Sequence, residues 1–282
     1  MRQIIFICFV IFFPLSDVFG QNHQIALPDG KTVFALGEVD KIQSVELGEP
    51  RILNIYLPDG YSPDSSTTYP VIYLLDGSEN EDFIHVVGIV QFLNMIEIMP
   101  KSIVVGIANI DRRKDFTFPT RIEKDKKAYP TTGGSSRFIS FIEKELQPYI
   151  QNKYKTNHTK TIIGQSLGGL LATEILLKKP FLFDNYIIVS PSLWWNNESL
   201  LTDAPGLLKK SSAKNLQVII SVGAEGKVME GDAKKLSDIL QSSGGSRFHL
   251  HVLSLPKENH LTILHNSVYK SFELLYPGKP YH

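Results

Sequence analysis

The segment Gly164-Gln165-Ser166-Leu167-Gly168-Gly169 holds residue types suited to nucleophilic chemistry. A serine with glycines two positions away on either side can sit on a tight, strained turn with its hydroxyl held clear. A neighbouring base can then take its proton, and the oxygen can attack an electrophilic carbon. The five-letter pattern arises by chance, so its flanks decide what it means. Thr161-Ile162-Ile163 before it is a short β-prone run, and Leu170 to Leu177 after it is a good helix that stops before Pro180. Strand, turn and helix together predict a nucleophile elbow. The helix start behind Ser166 would supply free N–H groups and a positive dipole end.

Such an elbow needs a base, an acid that orients the base, and donors for the developing oxyanion. In the strand–serine–helix setting the chain order is serine, then Asp or Glu, then His. His260 meets the requirement, because it follows the last predicted strand, Phe248 to Leu255, through a short turn. His265 lies further along, in the next helix, and His249 and His251 fall within the strand as sheet residues. The acid is expected on the loop after the strand Leu216 to Val222. Glu225 is nearest the strand end, where a rigid element begins the loop, with Glu230 and Asp232 further along. One oxyanion donor should be the backbone N–H of Leu167. The other should come from the loop Asp76-Gly77-Ser78, from the N–H of Gly77 or Ser78.

The elements that must position these groups are legible in the hydropathy pattern. Lys41 to Leu47 and Arg51 to Leu57 alternate apolar and polar residues around Gly48-Glu49-Pro50, which predicts a hairpin. Pro70 to Leu75 and Ser102 to Ile107 are continuously apolar, as buried parallel strands are, with a helix over Ile84 to Met99 between them. Arg112 to Thr132 is charged and irregular and reads as a rim loop or insertion over the site. Ser135 to Tyr154 predicts a helix with Phe138, Phe141, Ile142 and Leu146 packed in the core, bent or ended early by Pro148. Beyond the elbow, Tyr186 to Val189 predicts a strand and Lys234 to Leu240 a helix. Alternating strands and helices predict an α/β protein, with a mostly parallel central sheet, helices on both faces and an antiparallel N-terminal edge.

Composition narrows the function. The chain has 282 residues, 43% of them hydrophobic, which supports one large α/β domain. Its formal net charge is zero, which argues against nucleic acid or an anionic surface as main partner. Arg2 followed by the uncharged run Ile4 to Phe13, then Pro14 and Val18-Phe19-Gly20, predicts a secretory signal peptide over residues 1–20. The apolar run is too short to span a bilayer comfortably, so no stable membrane span is expected after cleavage. The single cysteine, Cys8, lies within that signal, so the mature domain 21–282 has no disulfide and no Cys-based metal site. A secreted or periplasmic location is expected.

Several separated segments together resemble the putative esterase family of α/β-hydrolases. They are Tyr73 to Gly77, Val105-Gly106-Ile107, Asp111-Arg112, the elbow, Ser190-Pro191-Ser192-Leu193-Trp194-Trp195, and Glu258-Asn259-His260. The Ser-Pro-Ser-Leu-Trp-Trp segment is most similar to the siderophore-esterase branch. The resemblance implies an α/β-hydrolase fold and hydrolysis of a small-molecule or carbohydrate-linked ester without a metal or other cofactor. It carries the nucleophile onto Ser166, the base onto His260 and the acid onto Glu225. It also implies basic and aromatic residues at the mouth, here Arg112, Arg113, Trp194 and Trp195, for anionic aromatic ligands. An acyltransferase using the same residues, and a non-catalytic ligand-binding homologue, are the alternatives.

Overall fold

The structure, a computed structural model, describes residues 31, 33–210, 212 and 215–278. The expected signal peptide lies outside the described residues. The chain divides into two compact units, Met1–Ala35 and Leu36–His282, and the architecture below is that of the second.

Eight strands form one sheet: β1 (Glu38–Gln43), β2 (Pro50–Tyr56), β3 (Tyr69–Leu74), β4 (Ile103–Ile107), β5 (Thr156–Gln165), β6 (Asn185–Val189), β7 (Leu216–Gly223) and β8 (Phe248–Leu255). Their spatial order is β1-β2-β4-β3-β5-β6-β7-β8. The pairs β1–β2 and β2–β4 are antiparallel, and every pair from β4 to β8 is parallel. This is the α/β-hydrolase fold with the expected antiparallel N-terminal edge. Every residue of β3, β4 and β6 is buried, which explains their almost entirely apolar sequences.

Helices cover both faces. Helix α1 (Phe83–Met95) packs on one, with Val86, Val87 and Val90 against Ile187, Ile219 and Phe272. The rim segment contributes two short helices, α2 (Arg112–Phe116) and α3 (Glu123–Ala128), so it is more ordered than its sequence suggests. Too short to show a period, they are fixed locally: the Asp111 side chain caps α2 by accepting from the Lys114 N–H at 3.1 Å. The predicted helix 135–154 forms as α4 (Ser135–Phe141), a π-helical stretch Ile142–Leu146, and α5 (Gln147–Lys153). Pro148 therefore widens the helix rather than ending it. The π turn absorbs its missing N–H and its clash with the preceding turn.

The helix behind the elbow, α6 (Leu167–Lys178), is buried all round up to Leu177, consistent with its nearly unbroken apolar sequence. Next comes α7 (Trp195–Lys210), which the sequence pattern does not show. It opens with Asn196, Asn197 and Glu198 in left-handed conformation, at φ 49, 56 and 58°. Helix α8 (Lys227–Ile239) starts earlier than predicted, and α9 (Ile263–Leu275) follows β8.

The edge strand β1 is anchored by charge. Asp40 accepts hydrogen bonds from Tyr154 Oη at 2.7 Å and Tyr149 Oη at 3.1 Å, and it pairs with the Lys153 ammonium. Burial alone would raise this carboxyl, but the donors outweigh it and hold the group below the ordinary aspartate value of 3.8. A carboxyl held low stabilises the fold above its unfolded pKa, and the contribution is lost as pH falls through the lower folded value. Asp40→Asn is expected to cost about 1–3 kcal/mol at neutral pH. The gap to wild type should close below about pH 4, measured by urea unfolding at both pH values.

Candidate active site

β5 ends at Gln165 and α6 begins at Leu167, so one residue makes the turn. That residue is Ser166, at φ 58° and ψ −118°. The chain crosses itself closely here: a Cβ on Gly164 would lie 2.4 Å from the Gly168 carbonyl oxygen, so only glycine fits. The Ser166 N–H donates to the Val189 carbonyl at 3.0 Å, and its own carbonyl accepts from Leu170 and Ser192 at 2.9 and 3.0 Å. Two other turns at the same end of the sheet also hold residues with positive φ: Asp76 after β3, at 55°, and Ser190 after β6, at 42°. Ligand chemistry in open α/β sheets gathers at these carboxyl ends.

Glu225 and His260 meet in front of the elbow. Glu225 Oε2 lies 2.5 Å from His260 Nδ1, and the glutamate side chain is only 2% exposed. The other carboxylate oxygen, Oε1, accepts from the Gly223 N–H at 3.0 Å and from the Ser190 hydroxyl. A carboxylate accepts only, so Nδ1 carries the ring proton and Nε2 is left to receive one. The backbone around His260 is tied to neighbouring turns. Gln165 Nε2 donates to the His260 carbonyl at 2.5 Å, and the Ala224 N–H to that of Glu258 at 2.8 Å.

Ser166, Glu225 and His260 line one cavity of about 550 Å³, walled by Tyr129, Ser192, Trp194, Met229 and Asn259. The Ser166 hydroxyl lies 3.3 Å from that of Ser192. The structure separates the other candidates from this group. Asp232 is buried on α8, where it pairs with Lys235 at 3.3 Å. Glu230 instead caps the Glu225 loop, accepting from the N–H groups of Glu225 and Gly226 at 3.0 and 2.8 Å. His265 packs its ring against that of His85 on α1.

The two candidate oxyanion amides of the β3 loop are also separated. The Gly77 N–H is committed to the Ile107 carbonyl at 3.0 Å, which leaves the Ser78 N–H as the candidate of that pair. Leu167 is the first residue of α6, where an N–H has no partner within the helix.

Arg112 and Trp195, expected at the substrate, are both bonded to neighbouring parts of the protein. Arg112 clamps Asp76 through both oxygens, at 2.6 and 2.8 Å, and reaches the Gln165 carbonyl at 3.3 Å. Burial disfavours the Arg112 cation, but the Asp76 carboxylate outweighs this and holds its pKa above the ordinary arginine value. Burial also pushes the Asp76 carboxyl up. Asn109 donates to it as well, at 2.7 Å, and only the ionised acid accepts from all these N–H groups, so the pair is ionic. Trp195 is fully buried and donates its Nε1–H to the Phe118 carbonyl at 2.9 Å. Its neighbour Trp194 reaches the cavity, beside Tyr129 at 6.1 Å between ring centroids. The exposed Arg113 guanidinium stacks on the other partner, 5.2 Å from the Tyr129 ring centre. Sequence reasoning missed Tyr129, Asp76, Gln165, Ser190 and Ser192 as parts of the site. Four of them lie in segments that carry the family resemblance, Tyr73 to Gly77, the elbow and Ser190 to Trp195, whereas Tyr129 lies in the irregular rim segment and had no signal.

A sheet of this order, with an elbow serine, a histidine and a buried glutamate in one cavity at its carboxyl edge, defines an α/β-hydrolase. Residues 44–262 match the model of the family described as putative esterase, and the chain belongs to that family; it is a carboxylic ester hydrolase. The ferri-bacillibactin esterase BesA of Bacillus subtilis (strain 168) is 29% identical over 257 residues, which span 83% of this chain and 88% of that protein. The crystal structure of an IroE-like serine hydrolase from Shewanella oneidensis is 30% identical with a TM-score of 0.79, covering 86% of this chain and 80% of that one. The BES protein of Bacillus cereus is 29% identical with a TM-score of 0.76, covering 89% and 99%.

The two tryptophans should separate under substitution. Trp195→Ala is expected to cost about 3–5 kcal/mol of stability by leaving a cavity and an unpaired carbonyl. Trp194→Ala should leave the melting temperature nearly unchanged and raise KM for aromatic esters. Thermal melts and steady-state kinetics of both variants check this.

Proposed function

We propose that this chain cleaves esters through an acyl-enzyme formed on Ser166. The observation that carries the reading is the Glu225–His260 hydrogen bond beside the elbow serine in one cavity. His260 Nε2 takes the Ser166 proton as Oγ attacks the ester carbonyl. The N–H groups of Leu167 and Ser78 hold the oxyanion. Buried Glu225 keeps the ring in the right tautomer and offsets its charge. His260 then protonates the leaving alcohol, and water activated by the same ring releases the acid.

The substrate we propose is a bulky ester with aromatic, anionic parts, of the ferric catecholate trilactone kind. Two things support it: the activity carried in the name of the BesA relative, and a cavity wall of Trp194 and Tyr129, with the Arg113 cation stacked on the Tyr129 ring. An acyl ester on a carbohydrate is the second candidate. The charged and then apolar start, Arg2 and Ile4 to Phe13, supports action after export, in the periplasm or outside the cell. No helix among the described residues is long and apolar enough to cross a membrane.

Hydrolysis of a ferric catecholate trilactone, a feruloyl ester, acetylated xylan and p-nitrophenyl esters tests the reading. Ser166→Ala should lower kcat on every cleaved ester by at least about 1,000-fold. Arg113→Ala should raise KM for the anionic trilactone about 3- to 10-fold and leave neutral p-nitrophenyl esters unchanged. Near-wild-type turnover by Ser166→Ala would overturn the mechanism, and faster cleavage of acetylated xylan than of the trilactone would overturn the substrate.

A further inference from the structure

The acid of the site has a partner whose role the family likeness does not supply. Glu225 is almost fully buried, and a buried carboxylate is costly unless its lone pairs are met. Oε2 is met by His260. Oε1 faces away from the ring and is met by the Gly223 N–H and the hydroxyl of Ser190. The Gly223 amide belongs to β7 and is fixed by the backbone, whereas the Ser190 hydroxyl is a side-chain donor brought from the neighbouring turn. Ser190 is itself fully buried, and its N–H is held by the Ser221 carbonyl at 2.8 Å.

The backbone of Ser190 makes the residue choice informative. At φ 42° it lies in the left-handed region, which favours glycine. A serine there adds one useful thing, its hydroxyl, and that hydroxyl points at the acid. The glutamate side chain is long and can rotate about more bonds than an aspartate. A second donor on Oε1 limits that rotation and leaves Oε2 directed at Nδ1.

We propose that Ser190 is a positioning residue for the reaction: it holds the Glu225 carboxylate, and through it the His260 ring, in the orientation that serves Ser166. The proposal rests on the proposed role of Glu225 and His260 in ester hydrolysis.

The test compares Ser190→Ala with Ser190→Gly. Both remove the hydroxyl, and glycine also relieves the backbone, so a shared loss belongs to the hydroxyl and not to strain or misfolding. Both are expected to lower kcat on a p-nitrophenyl ester about 10- to 100-fold with KM within about twofold of wild type. Ser190→Cys, with a weak donor of similar size, should recover part of the loss. In a Glu225→Gln background, Ser190→Ala should change kcat by less than about twofold, because the partner it acts through is already altered. Wild-type kcat in both hydroxyl-free variants would overturn the proposal while leaving the proposed function standing. So would a full, independent loss in the Glu225→Gln background. A wild-type protein that hydrolyses no ester would overturn both.

Discussion

The geometry of the site depends on a chain that passes from strand to helix through a single residue. Ser166 makes that turn at positive φ, and the crossing is so tight that Gly164 lies against the Gly168 carbonyl. Isolated, such a turn is unfavourable, and the surroundings must over-determine it. The Ser166 N–H is held by β6, its carbonyl by the β6–α7 turn and by α6, and α6 is buried along nearly its whole length. The strain thus rests on a fully buried part of the molecule, and it lifts a hydroxyl to the carboxyl edge of the sheet.

The other parts of the site are brought to that hydroxyl by polar cross-links between turns. Arg112 joins the β3 turn to the elbow through Asp76 and the Gln165 carbonyl. Gln165 in turn holds the His260 carbonyl, and Ser190 and Ser192, either side of Pro191, touch Glu225 and Ser166 respectively. The rim segment is secured in the same way. Trp195 binds the Phe118 carbonyl, Asn196 Oδ1 accepts from the Arg121 N–H at 2.9 Å, and buried Arg51 pairs with Asp115 at 2.7 Å. These contacts hold the stretch that carries Tyr129 to the cavity and Arg113 against the Tyr129 ring.

Much of the fold was legible in the sequence because buried parallel strands and their covering helices leave strong patterns. The almost entirely apolar runs of β3, β4 and β6, and the strand–glycine–serine–helix sequence at the elbow, are of this kind. So are the positions of Glu225 and His260, each just past a strand end. What stayed hidden depends on side chains meeting across the fold. Arg112 reads as a free surface cation until Asp76 is seen beside it, and adjacent tryptophans read alike until one turns inward. Asn196 to Glu198 interrupt no visible period, because left-handed residues leave no hydropathy signature.

In the proposed reaction Ser166 is the nucleophile and His260 its base. Reaction with a fluorophosphonate, followed by peptide mass mapping, tests it most directly, because Ser192 offers a second hydroxyl in the same cavity, 3.3 Å away. One adduct is expected, on Ser166, formed quickly by the wild type and at least about 100-fold more slowly by His260→Ala. An adduct on Ser192, or labelling of Ser166 at the wild-type rate without His260, would contradict it.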